Sequence, residues 1–141
     1  MLEKRFFTLD EAERLLPKVE RILSRLHTIK AQISLISEDA RDPVLLDDPF
    51  TEEQAYRFAF VQDMMLNKEL HRHLCAFFRT YERLNELGPV LQDLDRGLVD
   101  FPHKLNGKEV NLCWQEGEER ILYWHGTTNT SVKRKPIIYL D

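Results

Sequence analysis

The chain has 141 residues, a length that suits one domain around one core. Hydrophobic residues make up 43% and charged residues 31%, ordinary for a soluble globular protein. Lys plus Arg number 20 and Asp plus Glu 24, a formal net charge of −4 that argues against a general nucleic-acid binder, which needs a basic face for phosphates.

The N-terminus turns acidic before any apolar run develops, so it does not read as a signal peptide. No window approaches the roughly eighteen apolar residues of a membrane span. Cys75 and Cys113 are isolated and make no disulfide framework, so free thiols in a reducing, cytoplasmic compartment are expected.

Thr8-Leu9-Asp10-Glu11 is a capping box: the Thr8 hydroxyl can accept from an orphan amide while Glu11 reaches back. Apolar residues then recur at Ala12, Leu15, Val19, Ile22, Leu26, Ile29, Ile33 and Ile36, alternating steps of three and four, which is a heptad seam. Leu9, Leu16 and Leu23 widen the buried face. Pro17 lies inside the pattern and removes one backbone donor, so either a kink or a short break with Pro17 opening a new helix is expected. Residues 39–50, with two prolines and four aspartates, read as a solvated acidic loop, without a calcium-loop pattern.

Thr51-Glu52-Glu53-Gln54 is a second capping box, and the helix it opens is expected to run to Leu87 and stop at Gly88-Pro89. Its seam of Leu70, Leu74, Phe77, Tyr81 and Leu84 turns polar at Asn67 and Asp63 when extended backwards. We expect the contact face to rotate there towards Val61, Met64 and Met65; a polar contact between helices is the alternative. Tyr56, Phe58, Phe60, Val61, Met64, Met65, Phe77 and Phe78 point around more than one side. That surplus calls for further cover, from the β-part or from another copy of the chain, a homodimer forming a four-helix arrangement being the economical form.

Strand patterns follow at Val90-Leu91, Leu98–Phe101, Glu109–Trp114 and Arg120–His125. Asn106-Gly107 suits a type I′ hairpin turn, whose two positions both need positive φ. Pivoting there sets Phe101 opposite Leu112, Asp100 opposite Cys113 and Val99 opposite Trp114. A second hairpin at Gln115-Glu116-Gly117-Glu118 would set Leu112 opposite Ile121 and Val110 opposite Tyr123. Alternation then gives a packing face of Val99, Phe101, Val110, Leu112, Trp114, Ile121 and Tyr123, which should lie on the helices. The polar face carries Asp100, Glu109, Asn111, Cys113, Arg120 and Trp124. Pro102 requires an edge, or a failure of pairing, near its position. The reading is therefore one α+β domain over 1–141: a long antiparallel helical hairpin (8–87), a small antiparallel β-meander (90–125) and a C-terminal tail (126–141). Lys133-Arg134-Lys135 reads as part of a solvated tail.

Asp100, Cys113 and Arg120 would form one row across three strands, with His125 at its margin. A carboxylate, a thiol and a guanidinium in line can bind a small anion or activate a nucleophile; the plainer reading is a cross-strand ion pair bridging a small residue. His103 and His125, near strand ends, are the weak metal candidates, converging with Asp95 or Asp100. His71 with Cys75, and Glu69 with His73, are four apart on a helix, but neither pair completes a metal shell. There is no GxGxxG or GxxxxGK[ST] phosphate loop. No cofactor and no catalytic set is defined.

FTLDEAERLLP, LGPVLQDLDRGLVDFP and NGKEVNLCWQEGEERILYWH together resemble the uncharacterised bacterial family known as domain of unknown function 2203 (DUF2203). The resemblance covers the start of the first helix and most of residues 87–125. It implies a bacterial cytoplasmic protein with a helical hairpin and a small β-part, and brings no established activity. Members of that family continue after the Trp-His pair with acidic and glycine-rich residues. Here Gly126-Thr127-Thr128-Asn129-Thr130-Ser131 follows, which argues against a metal or acid–base role for His125. The function expected from sequence is a non-enzymatic, self-associating interaction protein. The alternative is a small ligand- or metal-binding protein, or an enzyme, using the polar face of the meander.

Overall fold

A computed structural model describes residues 4–41, 51–127 and 134–139 of the chain. The Thr8 capping box forms: Glu11 N–H donates to Thr8 Oγ1 at 3.1 Å and Thr8 N–H to Glu11 Oε1 at 3.0 Å. From it α1 runs over Leu9–Ala40 as a single helix containing Pro17, and no second helix opens at the proline. Its most buried positions are Ala12, Leu16, Val19, Leu23, Leu26, Ile29 and Ile36, a broad apolar stripe at helical spacing. Residues 42–50 of the acidic loop lie outside the described residues.

The second helix departs from expectation. It is two helices, α2 (Glu52–Phe58) and α3 (Met64–Leu87). The Thr51 box forms as expected, with Gln54 N–H donating to Thr51 Oγ1 at 3.1 Å. The chain leaves the helix at Ala59 in extended conformation. Asp63 then caps α3, accepting from the Leu66 amide on its side chain at 3.0 Å and from the Asn67 amide on its carbonyl at 2.8 Å. Asn67 Oδ1 in turn accepts from Val61 N–H at 3.1 Å. Of the residues expected on a rotated face, Val61 is buried in the core, whereas Met64 and Met65 are exposed. Asp63 satisfies orphan amides at the start of α3, and Asn67 ties the connection to the helix through the Val61 amide.

Two compact units divide the chain: Met1–Leu23 with Arg83–Asp141, and Ser24–Glu82. In the second, the end of α1 packs on α2 and α3 through Ile36, Ala55, Ala59, Val61, Leu70 and Leu74. Phe60, Met64 and Met65 of the same unit are exposed.

The first unit carries a five-stranded antiparallel sheet in sequence order: β1 (Val90–Asp93), β2 (Leu98–Leu105), β3 (Lys108–Gln115), β4 (Tyr123–Gly126) and β5 (Lys135–Pro136). The β2–β3 register is the expected one, Asp100 facing Cys113 and Phe101 facing Leu112. Asn106 and Gly107 take φ of 51° and 78°, as a type I′ turn requires. Pro102 lies beyond the end of β1, whose ladder reaches only Asp100, and its carbonyl accepts from Phe7 N–H at 2.7 Å. Phe7 packs edge-on against Phe101, 5.4 Å between ring centroids.

The β3–β4 register corrects the sequence reading. Val110 pairs with Gly126 rather than Tyr123, Leu112 with Trp124 rather than Ile121, and Cys113 with Tyr123. This offset of three residues is odd, so it exchanges the two faces of β4. Tyr123 and His125 share the face of Asp100 and Cys113, and Trp124 moves to the face of Leu112. The physical reason is the connection. Residues 116–122 form a seven-residue loop (from the strand ends at Gln115 and Tyr123), not the short hairpin connection expected at Gln115-Glu116-Gly117-Glu118. It is closed by Trp114 Nε1–H to Glu118 O at 2.7 Å, by Gln115 N–H to Glu118 Oε1 at 2.7 Å, and by Ile121 N–H to Glu13 Oε2 of α1 at 3.1 Å. β5 is a further addition: the segment read as a polar tail returns to the sheet, pairing Lys135 with Trp124. Among the described residues no helix is long and apolar enough to cross a membrane.

Candidate functional site

Three neighbouring strands bring Asp100, Cys113 and His125 together. Asp100 and Cys113 are direct cross-strand partners, and His125 pairs with Asn111, one step along the same face. One ligand atom of each of the three side chains lies within 4.8 Å of the other two, and all three residues are buried. Asp100 is 0% exposed and His125 6%. His125 Nε2 sits 2.8 Å from Asp100 Oδ1, and Nδ1 sits 2.9 Å from the Gly126 carbonyl.

The proton positions follow from the partners. A carbonyl only accepts, so His125 Nδ1 carries a hydrogen and donates it to Gly126. Nε2 then faces the Asp100 carboxylate across 2.8 Å. The other carboxylate oxygen, Asp100 Oδ2, is buried and has no hydrogen-bond partner among the described residues. A buried acceptor left so costs about 1–3 kcal/mol, more when charged.

Cys113 completes the cluster as a thiol rather than an activated thiolate. Burial, and then the Asp100 charge beside it, push it up to about 11, while Arg134 works in the opposite direction. His125 is committed to Asp100, so no Cys–His nucleophile is assembled.

Arg134 is the residue that sequence reasoning missed. Its Nη2 donates to Glu118 Oε1 at 2.7 Å and to the Cys113 carbonyl at 3.3 Å, and its guanidinium lies 4.2 Å over the Tyr123 ring. The available signal was the apolar run Ile137-Ile138-Tyr139 just after the basic triplet, which can draw a tail back onto a fold.

Arg120 is not part of this site. Its side chain is 73% exposed and pairs with Glu13 at 3.2 Å. It lies in the loop, so the three-strand row of sequence does not exist. Glu109 pairs instead with Lys4 at 2.6 Å. His103 is separated from His125 by the sheet: it alternates with Pro102 onto the opposite face, where Nδ1 meets the Phe7 carbonyl at 2.7 Å. On the helices, His71 contacts the Ala59 carbonyl at 2.9 Å, Cys75 accepts from Tyr56 Oη at 3.4 Å, and His73 lies 3.9 Å from Glu69. Among the described residues, Asp100, Cys113 and His125 are the one group of three metal-ligating side chains.

Fold and site thus define an α+β protein with α1 packed on α3, followed by an antiparallel sheet holding a buried Asp–Cys–His cluster. The sequence profile of the family described as "Uncharacterized conserved protein (DUF2203)" matches residues 5–137, and the chain belongs to that family. No curated protein and no solved structure was found to match it.

Proposed function

We propose that this protein is a small ligand-binding protein whose binding centre is the sheet face at Asp100, Cys113 and His125. The observation that carries the reading is the unpartnered Asp100 Oδ2, buried beside an imidazole and a thiol. Native proteins rarely leave such an acceptor unsatisfied, and a cluster rich in lone pairs calls for a cation or a strong hydrogen-bond donor. The test is a thermal-shift panel of divalent metal ions and small amines on full-length protein. A cationic ligand that raises the melting temperature of the wild type and fails to raise that of Asp100→Asn is the expected result. A panel without any shift sinks the reading.

A second reading, self-association as a homodimer, is favoured by a separate observation. Phe60 is 58% exposed, Met64 82% and Met65 72%, and Tyr56 and Leu35 of the same unit are also exposed. Several large apolar side chains exposed on one unit can mark a surface that a partner covers. The two readings concern different units and do not compete.

A further inference from the structure

We propose that Asp100, Cys113 and His125 are three protein ligands for a divalent transition metal ion of the zinc class, with the fourth position taken by a ligand from outside the three. This deepens the binding-centre reading and rests on it.

The donor set is the first argument. A thiolate, an imidazole nitrogen and a carboxylate oxygen together match a borderline-soft ion and disfavour magnesium and calcium, which take oxygen ligands. The charges also balance: a thiolate, a carboxylate and a neutral imidazole offset a divalent cation. A neutral assembly is the form in which these groups are buried at least cost.

Geometry is the second. Zinc bonds of about 2.0–2.3 Å in a tetrahedron place ligand atoms roughly 3.3–3.8 Å apart. Here the three ligand atoms already lie within 4.8 Å of one another, and Nε2 lies 2.8 Å from Oδ1. Side-chain movements on the order of 1 Å therefore suffice. The backbone is held by the β2–β3 and β3–β4 ladders.

The outer shell is the third. A metal-ligating histidine characteristically donates its other ring N–H to a carboxylate or carbonyl, which fixes the tautomer and aims the free nitrogen. His125 Nδ1 does so to Gly126 O at 2.9 Å, leaving Nε2 directed at Asp100. The second carboxylate oxygen, buried and unpartnered among the described residues, is available to the ion. Arg134, anchored by Glu118 and stacked on Tyr123, donates to the Cys113 carbonyl at 3.3 Å and so holds the backbone that carries this ligand.

Cobalt titration of chelator-treated, full-length protein tests the inference, because Co²⁺ reports thiolate ligation by a near-ultraviolet charge-transfer band and tetrahedral geometry by visible bands. We expect both bands at one equivalent in the wild type, and zinc should bleach them, since it binds such sites more tightly than cobalt. Cys113→Ser should lose the charge-transfer band, and His125→Gln should weaken cobalt binding by at least about 100-fold, the upper end of what outer-shell changes cost. Cys75→Ser should leave the spectrum unchanged. Circular dichroism shows which variants keep the fold. Should His125→Gln unfold, Cys113→Ser against Cys75→Ser still decides. A wild type without a thiolate band overturns the inference, as does a band that survives Cys113→Ser and disappears with Cys75→Ser. If no metal binds but an amine still stabilises the protein through Asp100, the metal assignment alone fails. If nothing binds, the broader reading fails with it.

Discussion

Cys113 and Cys75 make a controlled pair, one buried in the cluster and one exposed on α3. Exposure and thiolate fraction together set thiol reactivity. At neutral pH a disulfide reagent should therefore titrate one thiol per native chain, at Cys75, and two in denaturant. Rapid native modification of Cys113 would contradict both its burial and its raised pKa. The sign for stability follows from the same shift. Below the ordinary thiol range Cys113 is protonated in both folded and unfolded chains, and its contribution is fully present. Between that range and about 11 the unfolded chain ionises first, so stability of chelator-treated protein should fall across that window. Cys113→Ala should flatten this alkaline slope in denaturant melts. At this scale the site was partly legible in sequence. Asp100 and Cys113 were found because Asn106-Gly107 fixes their pairing. His125 was placed only at the margin, and its expected loss of a following acid proves immaterial to the pairing seen, because Asp100 of β2 supplies the carboxylate.

At the scale of elements, caps and turns carry the account. Asp63→Ala should cost about 1 kcal/mol in unfolding free energy, and Asp63→Asn much less, since Asn also caps; equal losses would show that the cap is not what starts α3. Glu11 offers a pH test. Its hydrogen bonds with Thr8, backbone first and then side chain, hold its carboxyl below the usual glutamate range. The capping box is therefore at full strength above that range and weakens as pH falls through the depressed pKa, a dependence that Thr8→Ala should reduce. Two glycines at positive φ separate strain from collision. A Cβ at Gly107 meets nothing within 4 Å, whereas at Gly97 it falls 2.5 Å from Glu116 Cβ, held close by Glu116 N–H to Gly97 O at 2.8 Å. Gly107→Ala should cost about 1 kcal/mol and Gly97→Ala clearly more, compared by chemical denaturation. The same elements explain what sequence could and could not reveal. A two-residue turn sets register by its own geometry, so β2–β3 was readable. A seven-residue loop imposes none, and its contacts with Glu13 come from a distant helix, so β4 was placed three residues out. The break before α3 uses no glycine or proline. Its signal, Asp63 and Asn67 in an apolar seam, was visible but has more than one physical cause.

For the whole molecule, the α+β order and the two capping boxes were legible because periodicity and end signals are local. The fifth strand was not, since a strand of two residues has no period. The exposed Phe60, Met64 and Met65 lead to one expectation at this scale. Light scattering at micromolar concentration should give a mass above the monomer, and Met64→Lys with Met65→Lys should return it to the monomer with helical content kept. A wild-type monomer throughout would remove the self-association reading and leave the sheet site untouched. The central claim is that the sheet holds a metal-binding centre at Asp100, Cys113 and His125. It is tested most directly by the zinc content of chelator-stripped and reloaded full-length protein, wild type beside Cys113→Ser. The account predicts one zinc per wild-type chain, lost in the variant on dialysis against a competing chelator; equal zinc in both proteins, or none in the wild type, would contradict it.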